Sequence, residues 1–152
     1  MQVGNYLGLL HNSEQQLANG FLAVANHHGD EPDIYETCQL LASWSQAHVQ
    51  ALQPFINHYS EQKSEEPERL IQSLFAEPRS GSLALLRDLH DLWLLANEVS
   101  LCWTVLLQAS QALRDRELQA ACQELSEQTK RQLDWLWHRI KQAAPQILVV
   151  AA

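Results

Sequence analysis

Stepping through the first thirty residues by threes and fours meets Leu7, Leu10, Glu14, Leu17, Phe21, Val24 and His28, an apolar seam with one carboxylate in its middle. The next segment gives Cys38, Leu41, Ser45, His48, Leu52, Phe55 and Tyr59, broken by a serine and a histidine one turn apart on the same face. A third seam reads Leu94 or Leu95, Glu98, Leu101 or Cys102, and Val105. A fourth reads Leu118, Cys122, Leu125, Thr129, Gln132, Leu136 and Ile140. All four have the period of an α-helix, and each carries one polar layer.

Breakers divide these seams into helices at about 3–28, 31–60, 82–113 and 116–144. Gly29 is placed to end the first as a left-handed C′ residue, Asp30 to cap the second with Pro32 in its first turn, and Ser80 or Ser82 to cap the third. A tight turn is expected near Arg114 to Arg116. The polar stretch between the second and third helices holds a short helix around Glu68 to Phe75, and an apolar tail follows Pro145 through 152. Four helices of similar length with two short turns and one long middle connection describe a single-domain four-helix bundle made of two antiparallel hairpins. The middle connection could run about 50 Å, enough for a lengthwise crossover, and an up-down path also fits.

The polar layers fall at matching heights. Glu14 and Ser45 lie about equally far from the turn at Gly29 and Asp30, as do Glu98 and Thr129 from the turn near Leu113 and Arg114. Six polar groups at mid-height in an apolar bundle must satisfy one another, hold a metal, or cost the fold stability, because an unpaired buried carboxylate costs several kcal/mol.

Composition narrows the functional classes. The chain has 152 residues, 46% of them apolar, with five glycines and five prolines, which favours an ordered all-α domain over a disordered one. A net charge of -8 with scattered Lys and Arg argues against nucleic acid. Cys38, Cys102 and Cys122 are far apart and set among apolar residues, so they read as buried thiols in a reducing compartment. No secretory leader is visible, and no run reaches the roughly 18 apolar residues of a membrane span, so a soluble cytoplasmic protein is expected.

The residues of the polar layer resemble a family. Carboxylate-bridged di-iron proteins of the ferritin-like superfamily, such as bacterioferritin and rubrerythrin, set one Glu on each of two helices and Glu-x-x-His on each of the other two. Glu14 matches the first-helix Glu, with Phe21 where ferritins often have Tyr, and Glu98 matches the third-helix Glu. Ser45-Gln-Ala-His48 is similar to Glu-x-x-His with the Glu replaced. Thr129-Lys-Arg-Gln132-Leu-Asp-Trp135-Leu136 is similar to the bacterioferritin-type Glu-x-x-His-x-Asp-Trp-Leu with both ligands replaced. The resemblance implies a ferritin-like bundle with the crossover. It leaves three of six ligands, Glu14, His48 and Glu98, while Ser45 and Thr129 stand where bridging carboxylates would be, with Gln132 beside them.

A working di-iron oxidase or ferroxidase is therefore not expected. The favoured expectation is a metal-free polar core, in which His48 bonds Glu14 or Glu98 and Ser45, Thr129 and Gln132 complete the network. Its function would be that of a structural or protein-interaction module. The alternative is one metal ion, Zn or Fe, on Glu14, His48 and Glu98, serving metal binding or a redox stress role.

The remaining motifs are weaker. His27 and His28 are read as dipole partners at a solvated corner, and His11, His58, His90 and His138 as solvated or half-buried. Trp135 and Trp137 point to different faces, so at least one lies outside the core. The tail from Ile147 on should dock on the bundle or on a second subunit, which suggests a homodimer. No phosphate loop, Gly-x-Ser-x-Gly or cysteine in an electropositive setting is present.

Overall fold

The computed structural model describes residues 1–60 and 78–150. They form α1 (Val3–His27), α2 (Pro32–Tyr59), α3 (Ala84–Leu113) and α4 (Arg116–Pro145), followed by a π-helical turn over Gln146–Val150. The described residues contain no strand and form an all-α bundle of four helices whose bounds fall within a residue or two of those expected. The short helix expected around Glu68 to Phe75 lies outside the described residues.

Turn chemistry is where the local expectations need correction. Pro32 does open α2, where its missing N–H costs nothing. The residue before the helix is Glu31 rather than Asp30, and its side chain makes no capping bond. Glu31 and Asp33 instead meet Arg139 of α4, at 3.5 and 2.8 Å. Gly29 is not left-handed: among the described glycines only Gly81 has a positive φ, of 97°. Gly81 turns the chain into α3, and its carbonyl accepts from Ala84 N–H at 3.2 Å, while neither Ser80 nor Ser82 caps the helix.

The α3–α4 turn takes its left-handed residue from Arg114, at φ 55° and ψ 33°. Arg114 N–H donates to Gln111 O at 3.2 Å and Asp115 N–H to Ser110 O at 3.0 Å, the paired bonds of a Schellman ending. Asp115 then caps α4 by accepting from Leu118 N–H at 3.0 Å, and it also accepts from Tyr59 Oη at 2.6 Å. Partial burial would raise the Asp115 carboxyl, but these two donors and the nearby His58 hold it below its ordinary value. Arginine carries a steric penalty in this backbone region that glycine does not. Arg114→Gly is accordingly expected to raise the unfolding free energy by about 1 kcal/mol, read as a higher denaturant midpoint at unchanged slope. A lower midpoint would refute this account of the turn.

Contacts between elements order the bundle. α1 packs along α2 and α3, and α4 packs along α3 and, more lightly, α2. His28 meets Asp88 near the start of α3 and Arg139 meets Asp33 at the start of α2, which gathers the α1–α2 turn, the beginning of α3 and the end of α4 at one pole. Tyr59 meets Asp115, which puts the end of α2 and the α3–α4 turn at the other. The core between them holds Leu7, Leu10, Leu17 and Phe21 of α1, Cys38 and Leu52 of α2, and Leu118 and Leu136 of α4, among others. Cys38, Cys102 and Cys122 are buried free thiols, and burial pushes Cys38 up to about 12 and Cys122 to about 11.

The third seam is corrected. The buried line of α3 is Leu89, Leu92, Ala96, Val99, Cys102, Trp103 and Leu106, whereas Leu94, Leu101 and Val105 are 49%, 57% and 38% exposed. Glu98, on the expected seam, is half-buried. The physical reason is that α3 is apolar on nearly every face, so a period-3.6 pattern can be drawn along more than one line. By length and composition α3 also passes as a candidate membrane span, against expectation. Its inner face is packed on α1 and α4. Trp137 is exposed, as the split between Trp135 and Trp137 required, and in the tail Ile147 packs on the core while Leu148, Val149 and Val150 are exposed.

Candidate functional site

Halfway along the bundle, Glu14, Ser45, His48, Thr129 and Gln132 are all fully buried. Their placement follows from helical spacing: Ser45 and His48 lie one turn apart on α2, Thr129 and Gln132 one turn apart on α4, and Glu14 stands between Leu10 and Leu17 on α1. Trp103 of α3 closes the layer with its ring edge-on to the imidazole, the centroids 5.9 Å apart at 88°.

Two hydrogen-bonded groups fill this layer. In the first, His48 Nδ1 donates to Glu14 Oε2 at 2.5 Å and Nε2 lies 2.8 Å from Oε1 of Gln128 on α4. With an oxygen atom facing each ring nitrogen, the geometry favours the protonated ring, in which both nitrogens donate. Burial alone would depress the His48 pKa. The Glu14 bond and charge and the Gln128 bond outweigh it, so the pKa is raised above 6.5. In the second group, Gln132 Nε2 donates to Leu41 O and to Ser45 Oγ, both at 2.9 Å. Glu14 Oε1, Thr129 Oγ1, Gln132 Oε1 and Trp103 Nε1 are buried without a hydrogen-bond partner among the described residues.

Of the expected ligands, then, Glu14 and His48 are brought together. Glu98 is half-buried on α3, and among the described residues no group of three or more His, Cys, Asp or Glu is gathered that could hold a metal ion. Two bridged irons call for about four carboxylates, and Glu14 is the one fully buried carboxylate among the described residues of this layer. That donor set does not fit a di-iron centre.

Pattern reading missed three participants. Gln128 is one turn before Gln132 and so shares its face, which could have flagged it. Trp103 lies on the buried line that the expected α3 seam bypassed. The third is Asp88, which is buried near the start of α3. It accepts from His28 Nε2 and from Arg79 Nη1, each at 2.9 Å, with His27 at 3.8 Å. Arg79 also pairs with Asp91 at 2.5 Å. His28 is therefore an anchor rather than the solvated dipole partner expected, because the corner between α1 and α2 packs against α3.

Comparison with protein-family models, with curated proteins and with solved structures found no match.

Proposed function

We propose that this chain is a ferritin-like bundle that has exchanged a di-iron centre for a hydrogen-bonded polar core and serves as a structural or protein-interaction module. The observation that carries the reading is the double engagement of His48. Its two ring nitrogens, either of which would have to offer a lone pair to a metal, are turned to Glu14 Oε2 and Gln128 Oε1. Ser45, where the resemblance asks for a bridging glutamate, takes a hydrogen bond from Gln132 instead.

The topology supports the same reading. With the end of α2 beside Asp115 and the start of α3 beside His28, these two helices run in the same direction. A parallel α2 and α3 is the arrangement that a ferritin-like path calls for, and it favours that reading over a simple up-down one.

A second reading, one bound metal ion, draws support from the unpartnered oxygens of Glu14, Thr129 and Gln132. Elemental analysis of protein prepared without chelator separates the two. The proposal expects iron and zinc far below one per chain, and equal in wild type and His48→Ala. Stoichiometric metal that disappears in His48→Ala would establish the second reading in its place.

A further inference from the structure

The interaction module of the preceding reading needs a surface, and the outward face of α3 supplies one. Leu94, Leu101 and Val105 recur at steps of seven and four, so they lie on one line, and all three are exposed. Trp137 of α4, 52% exposed, lies against Trp93 of α3 with ring centroids 6.1 Å apart, which extends the apolar surface sideways. Between Leu92 and Leu113 the helix carries a single charged residue, Glu98, in a chain of net charge -8. Two copies can approach here with little of the repulsion that the acidic remainder imposes.

We propose that a second copy of this chain packs on this face, with its α3 antiparallel and a two-fold axis at Leu101. The antiparallel choice follows from Glu98. A parallel pair would set the two carboxylates level. About an axis at Leu101, each Glu98 lies level with Thr104 of the second copy, and the two carboxylates stand about 9 Å apart along the helix axis. Each Trp137, beside Trp93, then closes one end of the contact. About that axis the two helices overlap over 89–113, and a face about 37 Å long and about 10 Å wide covers about 370 Å² per copy before the tryptophans are added, against about 800 Å² in a standard interface. The dimer is therefore one that dissociates on dilution. A lipid surface is the poorer occupant, because Glu98, Thr104 and Gln108 interrupt the same face.

Sedimentation equilibrium across a dilution series is the test. Wild type should move from the 17.3 kDa of one chain towards twice that mass as concentration rises. Leu101→Glu should hold the single-chain mass throughout, with unchanged helical circular dichroism. Under mild oxidation Leu101→Cys should cross-link two chains across the axis and Leu94→Cys should not, the native thiols being buried. A single-chain mass at every concentration, a dimer that survives Leu101→Glu, or a monomer that floats with phosphatidylcholine vesicles would each overturn the proposal. Metal content decides the reading it rests on and solution mass decides this one, so the two fail separately.

Discussion

His48→Ala is expected to lower the unfolding free energy by about 3–5 kcal/mol, because it strands the fully buried Glu14 carboxylate without its partner. The informative companion is the double variant Glu14→Leu/His48→Leu, which removes both charges and fills the layer with apolar volume. It is expected to regain most of that loss, since a buried ion pair can be replaced by packed hydrophobic side chains at little net cost. Denaturant melts of Glu14→Leu, His48→Leu and the double variant give the coupling directly. A double variant as unstable as the sum of the singles would mean that the pair is not one unit.

The pair also sets a pH dependence. The His48 pKa is raised in the folded state relative to about 6.5 in the unfolded chain. Its contribution is thus fully present below pH 6.5 and declines as pH rises through the folded-state value. Unfolding free energy of the wild type should fall over that window, and the double variant should lack this component.

The second large effect is expected at Asp88. Its carboxylate, 2% exposed, takes bonds from Arg79 and His28 and so fastens the α1–α2 corner to the start of α3. Asp88→Ala should cost about 2–3 kcal/mol, less than the loss at His48 because Arg79 is 27% exposed and can turn its guanidinium to water. Asp88→Asn keeps one acceptor oxygen and should cost less. Hydrogen exchange adds a spatial signature: protection should drop around residues 25–31 and 79–89, while mid-bundle amides keep their protection relative to the global unfolding limit. A change below about 0.5 kcal/mol, the range of an ordinary surface substitution, would dismiss Asp88 as a fastening.

Why the Glu14–His48 pair could be read from the chain while Asp88 and Gln128 could not is a matter of contrast. Polar residues on α1 and α2 interrupt otherwise apolar seams, and the hairpin turn between them sets the two interruptions at one height. On α3 nearly every face is apolar, so Leu94, Leu101 and Val105 imitate a core line and draw attention away from Leu89, Leu92 and Val99. With that register chosen, Asp88 falls off the seam and Trp103 beside it. Gln128 is hidden for another reason. A half-buried glutamine on the charged helix α4 looks solvated until the imidazole of α2 is placed opposite it. Turn types were hard to read because Gly29 adopts ordinary backbone angles while Arg114 takes the left-handed ones, a reversal of the usual preference that the Schellman bonds stabilise.

The two hydrogen-bonded groups at mid-bundle bear on how the helices find their alignment. Leucine against leucine packs nearly as well when one helix slides a turn along another, so an apolar bundle has few marks to tell it where to stop. Here α4 engages α2 at two levels, through Gln128 to His48 and through Gln132 to Ser45. A slip of one turn, about 5.4 Å, would strip the imidazole of its Gln128 partner and the glutamine of its hydroxyl in a single movement. The polar layer acts as a detent, and the misaligned bundle is penalised by several groups failing together.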